Sequence, residues 1–184
     1  MSHTLEAVAI PEIAVEERAN RLNSAGATWQ ELVAKDRTNA QLTYQVKGRG
    51  EGAVATRITS GKHEFVIDEP AGLAGDDVAP SPVEYALGAL IACQVVVYRL
   101  YAQGLGIVVE DIDVKAEGDL DVHGIFAWDE NVRPGFTAIR LSVHVTGPES
   151  PERYEELRQV VDAHCPVFDL FSNPTPVEVS LTSN

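Results

Sequence analysis

Two cysteines are the side chains in this sequence best suited to covalent chemistry. Cys93 closes the apolar run Ala86-Leu-Gly-Ala-Leu-Ile-Ala-Cys93, and Cys165 stands in His164-Cys-Pro-Val167, at the end of a charged helical pattern. Two thiols placed in or just after helices can form a dithiol redox centre. The same placement suits two inert buried cysteines, because free cysteine is among the most buried residue types. An apolar helix interior disfavours a thiolate, so a reactive cysteine there needs a cation or a polar cavity. Near Cys93 the sequence offers Gln94 and Arg99, and an ideal helix points Arg99 to another side. Proline after Cys165 breaks or kinks the chain. That irregular backbone can present the thiol to a cavity or simply close a packed helix end.

Other chemistries find less support. There is no Cys-x-x-Cys, and His3, His63, His123, His144 and His164 show no paired ligand spacing, so no metal is expected. Asp68, Asp76 and Asp77 lie near glycines but complete no calcium loop. Gly48, Gly50 and Gly52 precede a strand rather than a helix, which argues against a nucleotide fingerprint. No Gly-x-Ser-x-Gly marks a hydrolase elbow. No cofactor is expected.

The 184 residues fit one domain, or one domain with an appendage. A formal net charge of −14 repels phosphate backbones and anionic lipids, which argues against nucleic-acid or membrane-surface partners. No uninterrupted apolar run reaches the ~18–20 residues of a membrane span. The longest, Tyr85 to Tyr101, is cut by Gly88, Gln94 and Arg99. Without a secretory signal pattern and with two cysteines, a cytoplasmic location is expected, where a disulfide is transient rather than structural.

The elements that must position the thiols follow from periodicity. Residues 1–14 read as a loose arm. Val15 to Ala34 carries an amphipathic pattern, one helix or two, interrupted near Asn23-Ser-Ala-Gly26. Leu42 to Lys47 alternates as a strand, Gly48-Arg-Gly-Glu-Gly52 reads as a turn, and Val54 to Thr59 and His63 to Asp68 complete a three-stranded antiparallel meander. Ser81-Pro82 with Glu84 reads as a capping box opening a helix to about Gln103, stopped at Gly104-Leu-Gly106. Its apolar character on most faces predicts a buried central helix. Strands are expected across Ile107 to Gly118 and Phe136 to Thr146, a polar helix from Glu152 to Ala163, a short helix at Val167 to Phe171 and a last strand at Pro176 to Leu181. The order is that of an α+β fold, its antiparallel sheets covered by the long helix.

Taken together, these segments resemble the OsmC/Ohr family of thiol-dependent hydroperoxide reductases. The carrying residues are Ser81-Pro-Val-Glu-Tyr-Ala-Leu-Gly-Ala-Leu-Ile-Ala-Cys93 and His164-Cys-Pro-Val167, with Gly124, Asp129, Pro134-Gly-Phe136 and the strand Ile139 to Val145 between them. The similarity runs from about Leu42 to Leu181. It implies an OsmC-like fold, with antiparallel sheets wrapped around the central helix in an intertwined homodimer. Residues 1–40 would form an N-terminal arm and extra helix, and residues 41–184 the OsmC-like domain. The acidic loop Pro70 to Pro80 also departs from compact members of the family.

The resemblance further implies a two-cysteine peroxidase acting on organic hydroperoxides. Cys93 would become a sulfenic acid, Cys165 would resolve it to a disulfide, and an external dithiol would reduce the pair. Glu84 matches the family carboxylate. Arg49 matches the arginine that holds the thiolate, with Arg57 as second choice. Glu84 and Cys93 lie about half a turn out of phase on one straight helix, so Glu84 must act from the first turn or across subunits. Two other readings share the scaffold: a non-catalytic binding protein for a small apolar ligand, and a dimeric platform whose N-terminal helix recruits a partner.

Overall fold

Alternation along two strands builds the clearest sheet. In the computed structural model, which describes residues 9–183, β4 (Asp111–Asp119) and β5 (Ala138–Thr146) pair antiparallel. Ile112 stands opposite Val145, Val114 opposite Val143 and Ala116 opposite Leu141. One face of the ribbon is therefore apolar and must be covered. The cover is α2 (Pro82–Leu105), which packs on β4.

The start of α2 is fixed by its own side chains. Ser81 Oγ accepts from the Glu84 amide at 3.4 Å, and Glu84 Oε2 accepts from the Ser81 amide at 2.8 Å. This reciprocal cap satisfies donors that the first turn would otherwise leave bare. Gly106 ends the helix in the left-handed region, where its missing Cβ removes the steric cost. After α3 (Val122–Ile125) and β5, α4 (Pro151–His164) and α5 (Pro166–Ser172) return onto α2.

The core lies where these elements meet. Val97, Tyr98 and Ala102 of α2 pack with Ile107, Val109, Ile112, Leu157, Val161 and Cys165. Leu157 and Val161 are fully buried, and each such side chain stabilises by about 1.5–3 kcal/mol.

A second sheet, β1 (Lys47–Glu51), β2 (Ala55–Ser60) and β3 (His63–Ile67), forms the expected antiparallel meander. It is tied to the first turns of α2. Tyr85 Oη donates to the Val66 carbonyl at 3.0 Å and its ring stacks on Phe65, with centroids 5.3 Å apart. The chain is thus α+β, with antiparallel sheets and a long helix.

The chain divides into two compact units, Met1–Gln41 and Leu42–Asn184. The first contains α1 (Val15–Lys35) and a short 3-10 turn at Arg37–Ala40. Most of the expected N-terminal arm, residues 1–8, lies outside the described residues.

Five expectations are corrected. α1 runs unbroken through Asn23-Ser-Ala-Gly26, because one glycine costs a helix only about 1 kcal/mol. The first strand begins at Lys47 and includes Arg49, so the glycine-rich segment is strand and the turn follows at Gly52. Residues 42–46 form no strand, and Leu42, Tyr44 and Val46 are exposed. Pro176 to Leu181 also forms no strand: Val177, Val179 and Leu181 alternate correctly but find no partner edge and are exposed. Finally, α2 is long and apolar enough to cross a membrane by length and composition, yet only 22% of its most apolar 18-residue window is buried within this chain. Val83, Val96 and Leu100 are exposed on it, so the central helix is covered on one side only.

Candidate active site

Cys93 sits in the middle of α2, half-buried and packed against the main core. Cys165 is the junction of two helices: it ends α4 and caps the start of α5, with Pro166 as the first residue of the new helix. Proline is tolerated there because its missing N–H would be unpaired in a first turn anyway. The fold-back of α5 onto α2 brings the two sulfurs together. Both are free thiols, and they lie close enough for each sulfur to feel the other.

Electrostatics separates their roles. Cys165 is 1% exposed. Burial pushes its thiol up, and the neighbouring Cys93 sulfur adds to the rise. The backbone N–H groups of Phe168 and Val167 pull the other way and do not cancel it. Cys165 is therefore held as a protonated thiol beside Cys93. His164, next in sequence, faces elsewhere: its Nδ1 lies 2.8 Å from the Val160 carbonyl and its ring packs on Tyr101.

The other expected residues occupy defined places away from the sulfurs. Glu84 serves the α2 cap, where hydrogen bonds from the Ser81 hydroxyl and amide hold its carboxyl below the usual range. Arg49 lies on exposed β1, directly opposite Arg57 on β2. Two like charges across a ladder repel, and carboxylates offset this. Arg57 donates to both oxygens of Glu51 at 2.9 Å and to Glu64 at 2.9 Å. Among the described residues, no hydrogen bond or ion pair joins Glu84, Arg49 or Arg57 to either sulfur.

A cavity of about 760 Å³, unforeseen in the sequence, opens between α2, β5, α4 and α5. Leu90, Ile139, Leu141 and Val143 give it apolar walls, closed by Phe136 and Phe168. Gln94 and Tyr98, one turn apart on α2, are 1% and 2% exposed and also line it. The Gln94 Nε2 has no hydrogen-bond partner. The Tyr98 phenol is pushed up to about 12 by burial and by the nearby Asp162 carboxylate, so it remains a hydrogen-bond donor. Arg158 and Asp162 are paired with each other, and Arg158 also holds Glu155 through two bonds of 2.7 and 2.8 Å. A polar residue within an apolar helix was the available signal for Gln94; read alone, it marks only an interruption.

Two glycines shape the wall. A Cβ on Gly118 would stand 2.5 Å from the Phe136 ring, and one on Gly124 would stand 2.4 Å from the Arg133 carbonyl oxygen. Both close approaches fix the loop that carries Arg133 and Phe136 beside the cavity. Among the described residues, no group of three or more His, Cys, Asp or Glu side chains is placed to hold a metal ion.

Comparison with known proteins agrees with this architecture. Residues 75–180 match the family model described as OsmC-like protein. An OsmC-like protein from Mycoplasma pneumoniae superposes with a TM-score of 0.62 at 17% identity, covering 71% of this chain and 88% of that one. An organic hydroperoxide resistance protein OsmC from Legionella pneumophila superposes with a TM-score of 0.57 at 23% identity, covering 72% and 90%. One from Elizabethkingia anophelis, also an organic hydroperoxide resistance protein, gives 0.55 at 20% identity, covering 72% and 91%. No curated protein sequence matches the chain.

Proposed function

This chain belongs to the OsmC-like protein family, and we propose that it is a two-cysteine thiol peroxidase that reduces organic hydroperoxides. The observation that carries this reading is the packing of Cys93 against the buried cluster that holds Cys165, close enough for the two sulfurs to interact. The names of the Legionella and Elizabethkingia neighbours, both organic hydroperoxide resistance proteins, support the substrate class.

The Cys93 thiolate attacks a peroxide oxygen. An S–O bond forms, the O–O bond breaks, and the alkoxide takes a proton to leave as an alcohol, which makes Cys93 a sulfenic acid. That neutral product removes the sulfur charge that raised Cys165. Cys165 then loses its proton and attacks the Cys93 sulfur, forming the disulfide and releasing water. Thiol–disulfide exchange with an external dithiol returns both thiols. A reducing cytoplasm suits that cycle.

Arg49, with Arg57 as the alternative, is the proposed cation for the Cys93 thiolate, and Glu84 its orienting carboxylate. That their recorded bonds within one chain go to other groups than the sulfurs supports a homodimer in which the partner completes the site. The open apolar side of α2 and the unpaired alternating segments at 42–46 and 176–181 support the same assembly. Sedimentation of the wild type as a dimer, and of Val96→Arg as a monomer with lowered turnover, is the expected result.

The chemistry is tested by cumene hydroperoxide consumption. Cys93→Ser should abolish it, and Cys165→Ser should leave a sulfenic acid that dimedone traps. Unchanged turnover in Cys93→Ser overturns the proposal.

A further inference from the structure

Helix α1 carries an apolar seam that it does not bury. Val15, Ala19, Leu22, Gly26, Trp29 and Val33 follow one another at alternating steps of four and three residues, so they fall on one stripe with no charge in it. Among the described residues none of α1 is buried, and Val15 and Trp29 are exposed. A helix in a protein draws most of its stability from such a face packed on something. Gly26 is the member that needs a reason, because glycine within a helix costs stability. Its φ is not positive, and a Cβ built on it would meet nothing within 4 Å. Neither backbone conformation nor crowding among the described residues calls for a glycine there. The open space above it is room for a side chain from outside.

We infer that α1 pairs antiparallel with α1 of a second copy of this chain, in a register centred on Ser24. Gly26 then faces the partner's Leu22, Ala19 faces the partner's Trp29, and Val15 faces the partner's Val33. The two smallest seam residues each receive a large one, which is how interdigitated layers fill space. A parallel pair would set Gly26 on the partner's Gly26 and Trp29 on the partner's Trp29, with a void in one layer and crowding in the next. Charge favours the same choice. Antiparallel helices oppose their dipoles, and the acidic first turn with Glu16 and Glu17 comes alongside the partner's last turn, which carries Lys35. At the edges Arg18 meets the partner's Leu32 and Glu16 meets the partner's Gln30, so no like charges face each other across the seam. A seam of one 21-residue helix is too short to hold two chains by itself. It forms where the OsmC-like domains already keep two copies at high effective concentration. The inference therefore rests on the homodimer reading, and it goes beyond it because α1 lies outside the matched residues 75–180.

The test is double electron–electron resonance on the full chain, run beside sedimentation. A spin label on an unnatural amino acid at Ser24 or at Glu31 leaves both native thiols in place. Each labelled chain should give one narrow distance. The distance at Glu31 should be the longer, because Glu31 lies opposite the partner's Glu17 and the two labels are offset by about 21 Å along the axis. Gly26→Leu favours helix formation but fills the space above the glycine. It should erase both narrow distances while circular dichroism keeps its helical signal and the chain still sediments as a dimer. Equal distances at the two positions, no narrow distance in a chain that sediments as a dimer, or distances unchanged in Gly26→Leu each overturn the helix pair and leave the domain dimer standing. A wild-type monomer in sedimentation overturns both.

Discussion

The Cys165 thiol sits within the influence of the Cys93 sulfur while almost none of its own surface meets solvent. The pair is therefore asymmetric before any oxidant arrives. Cys93 is accessible and Cys165 is shielded and held protonated. Alkylation by iodoacetamide, read by mass spectrometry, should modify Cys93 at least tenfold faster. In Cys93→Ala the influence of the neighbouring sulfur is gone but burial remains. The pH midpoint for alkylating Cys165 should then fall relative to the wild type, yet stay above that of an exposed thiol. An unchanged midpoint would show that the two sulfurs do not communicate.

The α2 cap allows the structural and chemical roles of Glu84 to be separated. Ser81→Ala removes the hydroxyl that receives the Glu84 amide and should cost about 0.5–2 kcal/mol in urea unfolding. Glu84→Gln keeps a side chain that can close the capping box, so stability should change little. If the carboxylate orients the thiolate's cation, the same variant lowers peroxide turnover at unchanged melting temperature. Full turnover in Glu84→Gln would confine the residue to its cap.

The relation between pattern and structure differs by element. The α2 start was legible because Ser81, Pro82 and Glu84 each satisfy a local backbone requirement. The β4–β5 ribbon was legible because its inward residues alternate over nine-residue strands. Pro176 to Leu181 alternates as well, but alternation describes a segment's two faces and does not supply an edge to pair with. The meeting of Cys93 with Cys165 depends on α5 folding back at Pro166, a long-range event with no local signature; the family resemblance implied it. In the sequence Gln94 reads as a break in apolarity and as a polar group near Cys93; its burial depends on elements distant in the chain.

Asp68 gives the fold an acid-sensitive point. It is buried, and its Oδ2 accepts the Asp76 and Val78 amides at 3.0 and 3.2 Å. The Glu69 amide, the largest influence, and these bonds hold its carboxyl below the ordinary value of 3.8. A depressed folded value contributes stability above the unfolded one, and that contribution is lost as pH falls below about 3.8 through the folded value. Asp68→Asn should lower the melting temperature at pH 7, and its deficit against the wild type should shrink as pH drops through that window. A deficit independent of pH would remove the carboxylate from the explanation.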